Sequence, residues 1–462
     1  MDDRRTRYGW GAAIVTGAAL RVLLFHFRPV LSNDGIMYGD LAHNMVAHHV
    51  FGFTENVIRP TLIRLPGYPL FLAACFAIFG NAHYIAVLWV QMAIDLAGAA
   101  LLAVLAAKLG GRRVGIAAIW LAALCPFTAN YSVALLTETL SLVCVTIGFF
   151  SLERWDAAWR IGERTLSWAA LAGCALSFAV LLRPDEGLLA AAIVPVMLWV
   201  GLRSTGRSLT AKLIPATIAS LIVVLPLLGW AGRNWRTFHV IQPLAPRYAN
   251  DPGETVPYGF QRWYRTWAID FDSTFDVYWN YDDTTLSVAD LPPRAFDNAQ
   301  QLEQTRAVYA QYNLVTSATP AFDKAFAQIA AERIAAHPLR YYVVMPVARE
   351  LNMWLRPRTE LMRLPIKWWQ INLHPKRSTF EIAYALLNAA FLGLAIAGLI
   401  IWRKSKWNGR GAVAFAMLSF VTLRCFLLLT LDNSEPRYTL ECFPIVIMFA
   451  AFAFAPRHSI SD

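Results

Sequence analysis

The sequence predicts an all-α protein that crosses a membrane many times. Three observations predict it. Of 462 residues, 57% are hydrophobic and only 16% are charged, against about 25% charged in a soluble chain. The mean hydropathy is +0.43. Apolar runs recur from Gly9 to Ala455 instead of gathering in one anchor. This composition excludes a soluble enzyme, a disordered chain and a single-anchor protein. The net charge is +10. Its Lys and Arg residues sit in short clusters between apolar runs, where they set topology and offer no basic face to nucleic acid. The cysteines Cys75, Cys125, Cys144, Cys174, Cys425 and Cys442 lie in or beside apolar runs. They read as small buried hydrophobes, with no disulfide framework and no CxxC metal pair.

The elements follow in order. Arg4, Arg5 and Arg7 precede a first apolar run at 9–27, read as an uncleaved span because Arg21 interrupts it and no small-residue cleavage site follows. Residues 28–65 are polar. Residues 66–80 are apolar but short, and open with Pro66-Gly67-Tyr68-Pro69. Spans are expected at 83–107, 114–131, 135–152, 167–182, 187–202 and 213–231. A long polar stretch at 232–337 precedes a mixed segment at 338–357 that contains Arg340, Arg349 and Glu350. Further spans are expected at 380–402, 411–431 and 440–455, about ten in all. Helical periodicity at 294–313 and 320–336 predicts a small helical layer. The expected organisation is an N-terminal membrane module at 1–231, an extracytoplasmic and interfacial region at 232–379, and C-terminal membrane helices at 380–462.

Basic clusters orient these spans. They are the N-terminus, Lys108 with Arg112 and Arg113, Arg154 with Arg160 and Arg164, Arg203 with Arg207 and Lys212, and Arg403 with Lys404, Lys406 and Arg410. All of them fall inside if 66–80 and 338–357 are interfacial or re-entrant. The N-terminus is then cytoplasmic, and the polar chemistry opens outside. The basic stretch from Arg356 to Arg377 falls outside as well, against the rule. The two halves show no matching span spacing, unlike a transporter built from inverted repeats.

The first outer loop reads NDGIMYGDLAHNMVAHHVFGF. Asp34 is either a general base for a hydroxyl or the N-cap of an amphipathic helix. Asp40 is a second carboxylate, or a solvated helix residue. The spacing of His43, His48 and His49 does not place them on one helical face, so no metal site is expected. Arg59 and Arg64 flank the Pro-rich approach to 66–80, where a guanidinium either binds phosphate or snorkels to headgroups. Glu138 opens a span, where a charge needs a cavity or a partner. Arg183, Asp185 and Glu186 form a tight turn, either a local ion pair or part of a site. Asp95 lies mid-span and would mark an ion path in a transporter or flippase, unless Arg424 is its buried partner. Trp263, Tyr264, Trp267, Tyr278, Trp279 and Tyr281 interleave with Asp270, Asp272, Asp276, Asp282 and Asp283, as a sugar platform or an interfacial aromatic belt. Asp270, Asp272 and Asp276 mimic the start of a calcium loop but lack its Gly and Glu. The late loop NSEPRYTLECFP holds Glu435, Arg437 and Tyr438. Arg437 is a phosphate ligand or the partner of Glu435.

Together these segments resemble the polyprenyl-phosphate-dependent glycosyltransferases of the GT-C superfamily, near the bacterial relatives of protein O-mannosyltransferases and lipid A aminoarabinose transferases. Asp34, Tyr38 and Ala42 after the first span carry the match, as do Arg64-Leu65-Pro66-Gly67-Tyr68-Pro69 and Glu435-Pro436-Arg437-Tyr438 with Pro444. Arg183-Pro184 and Arg233-Asn234 are weaker echoes. The resemblance implies a GT-C-like bundle in a bacterial inner membrane. It implies a polyprenyl-phosphate sugar donor and a glycan, lipid or protein acceptor. It assigns Asp34 as catalytic base and Arg64, with Arg437 and Arg59, to the donor phosphate. Tyr38, Asp40, Glu138, Arg183, Glu435 and Tyr438 line the substrate more weakly. Many relatives carry Asp-Glu where this chain has Asp34-Gly35. A lipid monophosphate leaving group demands no metal, and no cofactor is expected. A transporter or flippase, or an envelope scaffold, are the competing readings.

Overall fold

The computed structural model describes residues 2–27, 32–404 and 411–455, with side chains from Tyr8 onward. The side chains of Arg4, Arg5 and Arg7, the start of the first polar loop at 28–31, and the basic residues Lys406 and Arg410 lie outside the described residues. Helices dominate. They are α1 (Asp2–Phe27), α2 (Asn33–His48), α3 (Gly67–Phe79), α4 (Tyr84–Gly110), α5 (Arg112–Ala123), α6 (Pro126–Ser132), α7 (Glu138–Ile161), α8 (Leu166–Leu182), α9 (Gly187–Arg203) and α10 (Leu209–Phe238). Then come α11 (Tyr258–Arg265), the single turn α12 (Phe271–Ser273), α13 (Ala299–Tyr312), α14 (Pro320–Ala336), α15 (Met345–Leu355), α16 (Pro375–Lys404), α17 (Gly411–Leu428) and α18 (Phe443–Phe452). Among the described residues, six helices are long and apolar enough to cross a membrane, or seven if the bent pair α5–α6 is one span. The chain is a multi-pass membrane protein. The helix α7 falls outside that set because it carries Glu138, Glu153, Arg154, Asp156 and Arg160.

Contacts divide the chain into two units, one of Met1–Pro252, Ala390–Leu423 and Leu440–Asp462, the other of Gly253–Ala389 and Arg424–Thr439. In the first, α4 packs on α5 and α7, and α8 packs on α7 and α10. The helix α3 has 13 residues, about 20 Å at 1.5 Å per residue, short of a hydrocarbon core of about 30 Å. Its first residue presses on the end of α8. A Cβ on Gly67 would come within 2.5 Å of the Leu181 carbonyl oxygen, so only glycine allows that approach. The loop before α3 holds a feature the sequence did not announce, an antiparallel hairpin of β1 (Gly52–Thr54) and β2 (Ile58–Pro60), with Phe53 opposite Arg59.

Asp95 is buried, and its partner is Arg21, not Arg424. The Arg21 Nε donates to Asp95 Oδ2 at 2.7 Å, and Nη1 donates to the carbonyls of Gly17 and Ala123, each at 2.8 Å. One guanidinium thereby ties α1 to α4 and α5. The residue that interrupts the first apolar run is thus explained, and the mid-span carboxylate is a satisfied structural pair. Cys75, Cys125, Cys144 and Cys442 are buried, whereas Cys174 is exposed on α8.

In the second unit, the aromatic stretch, read as a sugar platform or an interfacial belt, forms largely a core, with Trp279 left exposed. Trp263, Tyr264 and Trp267 are fully buried, and Tyr281 stacks on Phe260 with ring centroids 3.8 Å apart. Helices α11, α13 and α14 enclose this aromatic cluster. Arg333 is buried beneath it and spends its guanidinium on Thr266, Gln301 and the Arg294 carbonyl. Of the charges in the 338–357 segment, Arg340 pairs with Asp297 at 2.7 and 2.8 Å, and the buried Arg349 donates from Nη1 to the Ala268 carbonyl at 2.7 Å while its Nε and Nη2 find no partner among the described residues.

Removing one member of a buried ion pair strands the other, at a cost of about 3–5 kcal/mol. Asp95→Ala is expected to lower unfolding stability in detergent by that amount. A combined Arg21→Met, Asp95→Leu variant should recover most of it, as read by thermal or denaturant unfolding.

Candidate active site

The site of the first unit is built on the start of α2. Ser32 is the N-cap, its Oγ accepting from the Gly35 amide at 3.1 Å. Asp34 is therefore not the cap. It sits in the first helical turn, where Arg64 meets its carboxylate, Nη2 to Oδ1 at 3.3 Å. Both side chains are about one quarter exposed, at 28% for Asp34 and 24% for Arg64. The pair is thus reachable from outside yet partly withdrawn from water, where opposite charges attract more strongly.

Several contacts fix the Arg64 loop. Arg233 donates from α10 to the carbonyls of Thr61 at 2.7 Å and Phe51 at 2.8 Å. Asp251 accepts from the Leu62 amide at 2.8 Å. Asp40 accepts from the Thr54 amide and hydroxyl, both at 2.7 Å, and so pins the hairpin to α2. Asp40 is a clamp on the loop. Arg59 lies on β2 with its guanidinium near Glu55 and Asp251, at 3.5 and 3.7 Å. His43 bonds Asn81 at 2.6 Å.

Tyr38, one turn beyond Asp34, packs edge-on against Tyr68 with centroids 5.0 Å apart. Desolvation pushes its phenol above the ordinary value. Arg64 and Arg183 oppose that rise, and Asp34 and Glu138 add to it. These charges mark out a second cluster beside the first. Arg183 meets Glu138 at 3.0 Å, Asp185 at 3.3 Å and Glu441 at 3.3 Å. Glu138 and Glu441 are fully buried, and so is Glu186, which accepts from Ser141 Oγ at 2.6 Å. The turn at 183–186 therefore holds a local ion pair and two long-range ones. Glu441 was not singled out in the sequence. Its signal was an acid standing directly before the strongly apolar α18, a place where charge needs a partner.

Arg437 belongs to the second unit. There it pairs with Glu435, which also accepts from the Tyr438 hydroxyl at 2.7 Å and from Asn433 at 2.8 Å. Arg358 and Arg424 hold the same loop through the carbonyls of Pro436 at 2.9 Å and Tyr438 at 3.0 Å. Of the calcium-like acids, Asp270 caps α12 and pairs with Arg294, and Asp276 pairs with Lys367 at 3.5 Å. Both are engaged by protein groups, whereas Asp272 is buried with its Oδ1 unpartnered among the described residues.

A family model described as dolichyl-phosphate-mannose-protein mannosyltransferase matches residues 60–230, less than half of the chain. That segment begins at the Arg64 loop and ends in α10. Among solved structures, the Archaeoglobus fulgidus oligosaccharyltransferase tethered with an acceptor peptide is similar over 96% of this chain and 49% of its own, at 12% identity and a TM-score of 0.50. The chain has the GT-C glycosyltransferase fold. It spans about half the length of that GT-C oligosaccharyltransferase. ArnT from Cupriavidus metallidurans bound to undecaprenyl phosphate is similar over 91% of this chain and 77% of its own, at 14% identity and a TM-score of 0.40. No curated protein sequence matches the chain.

Burial, with Asp270 and Asp276 nearby, pushes the Asp272 carboxyl up to about 7. A raised acid binds its proton more tightly in the folded chain than in the unfolded one. Stability is therefore lost as pH rises from 3.8 to about 7. Asp272→Asn mimics the protonated form. Its melting temperature is expected to exceed that of the parent at pH 8, with the advantage gone near pH 4.

Proposed function

We propose that the chain is an integral membrane glycosyltransferase. It moves a hexosyl or pentosyl unit from a polyprenyl-phosphate donor to a hydroxyl of a glycan, lipid or protein acceptor on the extracytoplasmic face. The observation that carries this reading is the Asp34–Arg64 pair at 3.3 Å, set in a chain with the GT-C fold and next to the segment that matches the mannosyltransferase family. A carboxylate and a guanidinium in contact are a base and a phosphate ligand side by side.

The resting pair is also a lock. A lipid phosphate offers Arg64 a bidentate acceptor that competes with the carboxylate. As the guanidinium turns to the phosphate, Asp34 is released to accept a proton. The acceptor oxygen attacks the anomeric carbon and its proton passes to Asp34. The bond from that carbon to the phosphate oxygen breaks, and its electron pair leaves on the lipid phosphate beside Arg64. One displacement inverts the anomeric centre. General-base help contributes about 10²–10⁴-fold, and a donor placed on the leaving oxygen about 10²–10³-fold. Tyr38 keeps its proton and serves as a neutral donor beside both groups.

The placement belongs to the same proposal: a bacterial inner membrane, the N-terminus cytoplasmic, the 1–231 module bearing the catalytic loop, and 232–379 outside. Arg437, with Glu435 and Tyr438, takes no step in this mechanism. The transporter and flippase reading loses its main support, because Asp95 is engaged by Arg21.

Asp34→Asn, assayed in membranes with labelled polyprenyl-phosphate sugar, is expected to lower transfer about 10²–10⁴-fold. Arg64→Ala should raise the donor KM about tenfold or more while expression stays normal. Wild-type transfer by Asp34→Asn would place the base elsewhere.

A further inference from the structure

At the far ends of α7 and α9 lies a hollow of about 670 Å³ lined by Trp159, Arg160, Trp199, Arg203 and Arg207. The segment Pro184–Arg203 has 20 residues and is apolar enough to cross a membrane. It begins at Arg183 of the candidate site and ends in this hollow, about 30 Å away at 1.5 Å per residue. That length is the hydrocarbon thickness of a bilayer, so the hollow stands at the opposite headgroup level. The next candidate span, Leu209–Phe238, starts from its rim.

The arginines here make specific contacts with the aromatic rings and acid of the hollow. The Arg207 guanidinium lies over the Trp159 ring at 3.7 Å, and its Nη2 donates to the Trp159 carbonyl at 2.8 Å. Arg203 lies over Trp199 at 4.6 Å. Arg160 is neutralised by Asp156, both contacts 3.1 Å. Neither Arg203 nor Arg207 has a carboxylate partner among the described residues. Two positive charges, Arg207 fixed by a hydrogen bond and Arg203 lying over Trp199, thus face a cavity at headgroup depth, and the cavity is large enough for a small ligand group. Exposed Ile161, Trp199 and Leu202 flank them as apolar surface for acyl chains.

We infer that this hollow binds the phosphodiester headgroup of an anionic glycerophospholipid, in the leaflet opposite the candidate active site. The shared chemistry is an anionic phosphate. The apolar rim and the bilayer depth favour a lipid over free phosphate, and two guanidiniums suit a headgroup of one or two negative charges. The site is independent of the glycosyl-transfer reading, since none of its residues takes part in that chemistry.

Native mass spectrometry of the purified full chain, loaded from vesicles of cardiolipin, phosphatidylglycerol or phosphatidylcholine, tests it. Wild type is expected to retain the two anionic lipids about tenfold over phosphatidylcholine. Arg203→Ala and Arg207→Ala should each cut that retention about tenfold. Arg164→Ala, a nearby exposed charge outside the hollow, should leave it unchanged. Arg203→Lys and Arg207→Lys keep the charge without the fork. They should fall between wild type and the alanine forms, and they stand in for any alanine form that does not fold. Equal retention of phosphatidylcholine, or unchanged retention in both arginine positions, would overturn the proposal. So would displacement of the lipid by millimolar inorganic phosphate, or preferential retention of undecaprenyl phosphate.

Discussion

A charge inside an apolar bundle must find its opposite, and here the chain meets that demand across long stretches of sequence. Arg21 reaches Asp95, and Arg183 reaches Glu138 and Glu441. In low dielectric these contacts are strong, and removing one partner is costly. They therefore fix which helices are neighbours. The Arg21 contacts bind α1 to α4 and α5. The Arg183 contacts bind the turn before α9 to the starts of α7 and α18. The Asp34–Arg64 pair sits above that scaffold, and it differs from the deeper pairs in one respect. It is partly open, so a ligand can compete for it.

Much of this was legible in the sequence. The apolar runs named the fold class, and Asp34, Tyr38 and Arg64 were recognisable from a carboxylate after the first span and a basic residue before a Pro-rich turn. The partners were not legible. Nothing local says that Asp95 pairs with Arg21, 74 positions earlier, or that Glu441 closes on Arg183. Such pairings depend on helix packing, and packing depends on small residues whose role appears only in three dimensions. The aromatic stretch misled for a related reason. Trp and Tyr interleaved with Asp describe a sugar platform and a capped aromatic core equally well. Burial of Trp263 and Trp267 decides between them.

Gly35 shows how packing reaches the chemistry. A Cβ there would stand 3.1 Å from both the Leu135 Cβ and its carbonyl oxygen. A glutamate at that position would have to push the 135 backbone away. The close seat of α2 against this segment thus disfavours a larger residue at position 35. The site has one acid in the first turn of α2, and on the proposed reading Asp34 works alone.

The bundle also has an axial polarity that bears on how such a site would release its product. Helices α7 and α9 run in parallel from the candidate site to the basic hollow. Their N-terminal ends hold Glu138, Asp185 and Glu186, and their C-terminal ends hold Arg160 and Arg203. Each charge complements the helix dipole at its end. The positive helix ends at the site are therefore already answered by carboxylates of the chain itself, and Arg183 by three more contacts of that kind. Arg64 is answered too, but by the partly exposed Asp34. An incoming lipid phosphate would then have to displace a carboxylate. That exchange weakens the net hold on the phosphate and restores the pair when the lipid departs. A site that must let go of a dianionic lipid after every turnover gains from this arrangement, because a guanidinium with no internal partner would retain its product.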